Sequence, residues 1–425
     1  MARLGPFEPH PALAAAVSGG ADSLALALLA RDWVLARHGT LLALVVDHGL
    51  RPESAREAQD TVLRLGDRGI PARLLALHGL TRGPALAARA RAARFAALAG
   101  ACAEAGLLHL LLGHHAGDQA ETLRMRQAAG STPRGLAGMA ALTETSATRL
   151  LRPLLAVPPG RLRALLRESG LDWVDDPSNR DPATLRARLR AELADPEGDG
   201  PQTRTLLAQA ATHGAARAQA DARIAATLAA RVSLHPSGWA VLSAGPIAHD
   251  ALAALLRTIA GRNHDPATAA VVALAAAPRA ATLAGARLLP AGRAGGSSRA
   301  GGRAGGLGDL LVVRESAAMA PPVAATPGAR WDNRFRLLAA PPGLTLGALG
   351  PDAPRLRRDA RGWPAAVLAT LPALRRGPDL VAVPHLTWPD AGATCAIHLA
   401  FAPPSPMACA PFRPATAPPA PCPGD

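Results

Sequence analysis

The residues best placed to do chemistry begin with V-S-G-G-A-D-S, residues 17–23. A short apolar run ends at Val17, and a longer amphipathic run begins near Asp22. Between them, Ser18, Gly19 and Gly20 can bring backbone N–H groups close to an anion, because glycine permits that approach. Ala21, Asp22 and Ser23 open the following helix, whose unpaired N–H groups and positive dipole end favour phosphate. Ser18 and Ser23 add hydroxyl donors. Asp22 alone would repel phosphate, and it fits if it helps to hold Mg2+ against the phosphate oxygens. The plainer reading is a glycine turn with an ordinary Ser/Asp N-cap, and the strand–loop–helix setting weighs against it.

A second group lies in G-H-H-A-G-D-Q-A-E-T, residues 113–122. His114, Asp118 and Glu121 stand at i, i+4 and i+7, and they share a face if the helix begins early. Two acids there suit a cationic ligand. A Mn2+ or Zn2+ site is a rival, since His and two carboxylates are usable ligands, and a solvated acidic face is the plain alternative. Arg94, in A-R-A-A-R-F, offers a bidentate contact to a carboxylate or phosphate, or is simply an exposed helical arginine.

These groups need a scaffold. Through the first 180 residues, short apolar runs alternate with longer amphipathic ones, and strands are expected at 13–17, 41–46, 72–77 and 107–112. This rhythm predicts an α/β fold, a Rossmann-like parallel sheet covered on both faces. Ligands of such sheets bind at the carboxyl ends of the strands, which brings the residues after Val17, Val46 and Leu112 together. Helices are expected over 181–231, then a mixed region over 232–279. Residues 280–308 include A-G-R-A-G-G-S-S-R-A-G-G-R-A-G-G-L-G, too poor in apolar side chains to build a core. The expected organisation is a phosphate-binding α/β domain over 1–195 and a mainly helical domain over 196–279, whose basic surface suits a polyanion. A flexible linker over 280–308, a small C-terminal domain over 309–400 and a disordered Pro-rich tail over 401–425 follow.

Composition removes several classes of enzyme. All 46 basic residues are arginine, against 32 acidic ones, giving a formal charge of +14. That surface attracts polyanions and grips phosphates. Without lysine there is no Walker P-loop, no Schiff-base lysine and no kinase β3 lysine. Cys102, Cys395, Cys409 and Cys422 form no C-x-x-C pair, so neither a structural metal nor a disulfide framework is expected. The opening M-A-R-L-G-P-F-E-P-H-P-A-L lacks the apolar core of a secretory signal, and no apolar run is long enough to span a membrane. A cytoplasmic location and no membrane partner are expected.

The loop S-G-G-A-D-S resembles the signature of N-type ATP pyrophosphatases, the PP-loop superfamily, which cleave ATP to AMP and pyrophosphate. An ordered series of further motifs resembles tRNA(Ile)-lysidine synthases: V-V-D-H-G-L-R-P-E-S at 45–54, A-R-A-A-R-F at 90–95, the 113–122 block, G-L-A-G-M at 135–139, L-L-R-P-L-L at 150–155, W-V-D-D-P-S-N at 173–179 and R-A-R-L-R-A-E-L at 186–193. R-W-D-N-R-F-R-L at 330–337 is a weaker C-terminal likeness. Gly117 departs from the family pattern by replacing the first acid of D-D-Q, and Ala187 by standing where Asn is usual. Arg126 and Gln127 interrupt a leucine-rich stretch, and S-T-P-R-G replaces a G-S-G form.

The resemblance implies an ATP-dependent ligase that joins free L-lysine to C2 of the wobble cytidine in a CAU-anticodon isoleucine tRNA. The C2 oxygen is first adenylated, then displaced by the lysine amine, with release of pyrophosphate and AMP. It implies ATP and Mg2+ as cofactors, with Ser18, Gly19, Gly20, Ala21, Asp22 and Ser23 around ATP and Asp22 near Mg2+. Arg94, Asp118 and Glu121 would hold lysine, and Asp22, His114, Asp118 and Glu121 would be catalytic. His114, Asp118 and Glu121 each remain open as the base. A tRNA cytidine thiolase should carry paired cysteines, and an amidotransferase-type synthetase a nucleophilic one. A non-catalytic RNA-binding relative should show a decayed loop.

Overall fold

A computed structural model describes all residues except 50–52, 82, 146, 176–183, 292–307, 361, 411 and 416–425. It separates into two compact units, one formed by residues 1–219 and 411–425, the other by 220–410.

The first unit is built on a six-stranded sheet. Its leading elements are β1 (Ala12–Val17), α1 (Ala21–Leu35), β2 (Thr40–Asp47), α2 (Ser54–Gly66), β3 (Ala72–Ala76), α3 (Leu86–Glu104), β4 (His109–Leu111) and α4 (Ala116–Ala128). After α4 come β5 (Leu142–Glu144), β6 (Arg149–Leu151), α5 (Pro159–Glu168) and α6 (Leu185–Leu193). The strand order is β3-β2-β1-β4-β6-β5, parallel except for β5. Successive residues of β1 face opposite cores, as period-2 geometry requires. Leu13, Ala15 and Val17 pack with α1 and α5, whereas Ala14 packs with Leu98, Ala101 and Cys102 of α3. Alanine at these positions lets the helices sit close to the sheet. The order reverses direction between β1 and β4, so their carboxyl ends open the crevice where ligands of such sheets bind.

Helix α7 (Pro201–Arg231) runs through the unit boundary. The second unit continues with β7 (Val232–His235), β8 (Trp239–Leu242), α8 (His249–Ala260), α9 (Thr268–Ala276), β9 (Ala281–Leu283), β10 (Ala286–Pro290) and β11 (Leu310–Arg314). These strands form one antiparallel sheet in the order β7-β8-β11-β10-β9. Two of them, β9 and β10, fall inside the expected linker, because Leu288 and Ala286 find a core against α8 that composition does not reveal. The pairing of β8 with β11 also joins, in one sheet, regions expected to be separate domains. The rest of the Gly/Arg segment lies outside the described residues.

Smaller sheets complete the second unit: β12 (Val323–Ala324), β15 (Thr345–Ala348), β16 (Pro372–Arg376) and β17 (Asp379–Ala382), and β13 (Arg330–Trp331), β14 (Phe335–Ala339) and β18 (His398–Phe401). Between β13 and β14, Asp332 accepts from Arg314 Nε and Nη2, Arg334 Nε and the Ala320 N–H at 2.7–3.0 Å. Burial acts to raise this carboxyl, but the Arg314 hydrogen bonds and the two guanidinium charges outweigh it and hold the group low. The expected disordered tail is partly ordered. Phe401 ends β18, and Phe412 is buried in the first unit, while 416–425 lie outside the described residues. Among the described residues, no helix is long and apolar enough to cross a membrane.

Candidate active site

Loop 18–23 closes on itself through Ser23. The Ser18 N–H donates to Ser23 Oγ at 3.1 Å, and Ser23 Oγ donates to the Gly20 carbonyl at 2.9 Å. The Ser23 hydroxyl therefore shapes the loop, while Ser18 is exposed. Gly19 takes φ +82°, and an added Cβ would strike Thr61 Oγ1 at 2.5 Å. Its carbonyl accepts the Val174 N–H at 3.0 Å, which ties the W-V-D segment to the loop. The continuation of that motif, residues 176–179, lies outside the described residues.

The loop after β4 lies directly against this one. A Cβ on Gly113 would be 3.2 Å from the Ser23 backbone, so any side chain there would crowd the approach of the two loops. His114 comes before α4 rather than on it, so it does not continue the helical face of Asp118 and Glu121. His115 is the N-cap. It accepts the Gly117 N–H on Nδ1 at 3.1 Å, while Asp118 Oδ2 accepts the His115 N–H at 3.1 Å, a reciprocal capping box. An accepting Nδ1 places the neutral imidazole's proton on Nε2. That atom lies 3.5 Å from Asp22 Oδ2 and 3.6 Å from Asp118 Oδ2. His115, which the sequence reading did not single out, thus stands between the two acids. The adjacent Gly117 leaves room for the ring, since a Cβ there would come within 3.0 Å of His115 Cε1.

All these groups face one cavity of about 640 Å³, lined by Ser18, Gly20, Ala21, Asp22 and Ser23 from the first loop and by His114, Asp118 and Glu121 from the second. Arg94 joins them from α3, with Asp47 and His48 from the end of β2. Gly19 is not part of this lining. Sequence reasoning passed over Asp47 and His48, although the D-H-G motif was visible. Asp47 Oδ1 accepts from the Gly49 N–H at 2.9 Å and from Ser54 Oγ at 2.7 Å, which closes that turn.

Burial dominates the electrostatics. It raises Asp22, opposed by His115 to the extent that the ring is protonated and reinforced by Asp118, and Asp22 Oδ1 has no partner among the described residues. Burial also raises Glu121, opposed chiefly by Arg190, whose Nε and Nη2 both reach Oε1, at 2.8 and 2.7 Å. Glu121 Oε2 is left buried without a partner among the described residues. Burial pushes the His114 imidazole down to about 4, helped by Arg152, Arg91 and Arg186 against the pull of Asp118. Arg94 is likewise lowered by burial and by Arg91, and its Nε is unpartnered in the same sense.

Two readings change here. Glu121 is paired with an arginine of R-A-R-L-R-A-E-L rather than standing as a free acid. Among the described residues, no group of three or more His, Cys, Asp or Glu is disposed to hold a metal ion, so the rival metal reading of His114, Asp118 and Glu121 lacks its geometry. Arg126, a departure from the leucine-rich pattern, donates to the carbonyls of Gly135 and Gly138 and holds the G-L-A-G-M turn. Gly138 has φ +69°, and a Cβ there would sit 2.7 Å from the Gln119 amide.

Residues 2–197 match the family model of the PP-loop domain. A tRNA(Ile)-lysidine synthase of Bradyrhizobium diazoefficiens is 44% identical over 217 residues, covering 51% of this chain and 60% of that protein. Against relatives of this kind, the matched region spans about half to 60% of their length. The tRNA(Ile)-lysidine synthase of Rhizobium meliloti is 33% identical over 355 residues, which cover 78% of this chain and 74% of that protein. A solved U34-tRNA thiolase from Methanococcus maripaludis aligns at TM-score 0.42 and 19% identity, over 48% of this chain and 72% of that one. With a PP-loop domain at its front and a relative aligned across most of both chains, the chain belongs to the tRNA(Ile)-lysidine synthase family.

Proposed function

We propose that the chain is an ATP-dependent ligase that joins free L-lysine to C2 of the wobble cytidine of a CAU-anticodon isoleucine tRNA, through an adenylated cytidine. The observation that carries this reading is the single cavity at the β1/β4 reversal, onto which loop 18–23 and the 114–121 block both open. ATP would lie with its phosphates over Ser18, Gly20, Ala21 and the start of α1, where helix dipole and N–H groups meet negative charge.

Asp22 fits a role beside Mg2+, because it lines the cavity and one of its carboxylate oxygens is buried and unpartnered among the described residues. When bound, the ion would neutralise charge on the phosphate oxygens and on the departing pyrophosphate. The protein's own contribution is placement. The His115 ring, whose Nε2 faces both Asp22 and Asp118 at 3.5–3.6 Å, would keep the two carboxylates apart.

Asp118 and the open oxygen of Glu121 would receive the lysine ammonium, and Arg94 its carboxylate. An amine of pKa near 10.4 is almost wholly protonated at neutral pH, so it must lose a proton before attack. His114 is a poor acceptor, being held down to about 4 by burial. Asp118 is the better candidate, since Glu121 is engaged by Arg190. The extended tRNA would be held by arginine-rich surface beyond the cavity, as backbone recognition requires.

The test is direct. Purified chain with ATP, Mg2+, radiolabelled lysine and the CAU-anticodon isoleucine tRNA should label the tRNA. Label on a different acceptor, with none on this tRNA, would overturn the assignment.

A further inference from the structure

The chain leaves the second unit at Ala410, and residues 412–415 pack back on the first unit as a short strap. Phe412 is only 6% exposed, and the Arg217 guanidinium lies 4.5 Å over its ring. Helix α7 is bare where the strap crosses. A Cβ on Gly214 would stand 2.9 Å from Pro414 and 3.1 Å from the Phe412 ring. Glycine is costly inside a helix, and the close approach of the strap is a physical reason for it here. Arg413 anchors the strap by donating to the carbonyls of Arg3 and Gly5, each at 2.8 Å.

The strap also grips the loop behind the active site. The Arg413 carbonyl accepts the Ala141 N–H at 2.8 Å. Two residues earlier, Met139 is clamped by Gln119, whose Oε1 accepts the Met139 N–H at 2.8 Å while Nε2 donates to its carbonyl at 3.1 Å. Gln119 is 2% exposed and follows Asp118 directly on α4. Ala415 and Gln119 line the same small cavity of about 50 Å³. The path from Phe412 to the acid-bearing turn of α4 is therefore continuous: strap, loop 139–141, Gln119.

We propose that Phe412 and Arg413, acting through loop 139–141 and Gln119, are positioning residues that set the placement of Asp118 and Glu121. No strap residue lines the active-site cavity, so the effect is on geometry alone. The inference rests on the lysine-site reading above for its catalytic consequence, but not for its structural one.

Two full-length variants test it from opposite sides. Phe412→Ala empties the seat of the strap. Gly214→Ala leaves the strap sequence intact and pushes a methyl group into it, while improving helix propensity. Both should speed hydrogen exchange of the Met139 and Ala141 amides about tenfold. Both should raise KM for lysine about tenfold while tRNA-dependent pyrophosphate release keeps its rate, and Phe412→Leu should restore most of the loss. Unchanged exchange in both variants would overturn the proposal. Faster exchange with no change in lysine KM, or with both half-reactions reduced alike, would overturn the positioning role. If the unsubstituted chain transfers no lysine, the functional reading falls, and the exchange rates alone decide whether the strap braces α4.

Discussion

Both units hold acidic side chains beside cations, but they complete their hydrogen bonding differently. In the second unit, Asp332 has both oxygens occupied, by two arginines and a backbone N–H, and it sits where β11, β13 and β14 must be held together. In the first unit, Asp22 Oδ1 and Glu121 Oε2 are buried with no partner among the described residues, and so is Arg94 Nε. Native chains rarely leave such atoms unpaired, because each costs desolvation with no return. The carboxylates therefore mark architecture where both oxygens are occupied and a ligand site where one is open, whereas arginine nitrogens do not make the distinction, since Arg334 Nη2 in the Asp332 cluster is unpartnered as well among the described residues. The difference lies in the unfilled positions, and it cannot be read from burial alone.

The strongest way to break this comparison is to exchange the expected consequences. Asp332→Ala strands two buried guanidiniums and should cost about 3–5 kcal/mol of stability, the usual penalty for breaking a buried pair. Urea unfolding measures it, and a loss well below 1 kcal/mol would mean that the cluster is not the lock it is taken to be. Asp22→Asn should do the reverse. It removes a half-buried charge whose Oδ1 has no partner among the described residues, so the unfolding midpoint should hold or rise. Pyrophosphate release should fall about 10²–10³-fold, the range seen when one charge-stabilising group is removed. A fall in stability with activity retained would invert the assignment.

Acid pH probes both units. Burial holds His385, in the second unit, and His114, in the first, down to about 4. An unfolded imidazole takes its proton near 6.5. Between those values the unfolded chain binds more protons, so stability present above about pH 6.5 is lost as pH falls toward 4. The two histidines together should make the stability curve fall steeply there, each by at most about 3 kcal/mol. His385→Leu should flatten its share of the slope. An acid limb unchanged in that variant would show that the buried imidazole is not the cause.

Much of the first unit was legible because its signals are local. Strand, glycine loop and helix stand in one short stretch at 12–23, and four apolar runs space the sheet. The open cavity followed from the rule that ligands gather at carboxyl ends of strands. What escaped depended on pairings distant in sequence. Arg190 reaches Glu121 across 69 residues, and β8 pairs with β11 across a segment that composition presents as linker. The expected shared face of His114, Asp118 and Glu121 failed at the helix boundary, although His114 still lines the cavity. Moving the N-cap to His115 turns the i, i+4 argument away from His114 and hands the bridging position to its neighbour.

Asp118 offers the finest test, because it does two things. Its Oδ2 caps α4 by accepting the His115 N–H, and its charge is proposed to hold the lysine ammonium. Asp118→Ala removes both, and losing a cap alone costs roughly 1 kcal/mol. Asp118→Asn keeps an acceptor for the cap and removes only the charge, so its thermal midpoint should match that of the unsubstituted chain. With Asn, formation of the adenylated tRNA should persist while lysine transfer weakens about 10–30-fold, mainly in KM, as expected when one charge-assisted contact of about 1.5–2 kcal/mol is lost. An Asn variant that loses adenylation and lysine transfer together would place Asp118 with Asp22 in the phosphate machinery. The open charges of the first unit would then serve one ligand rather than two.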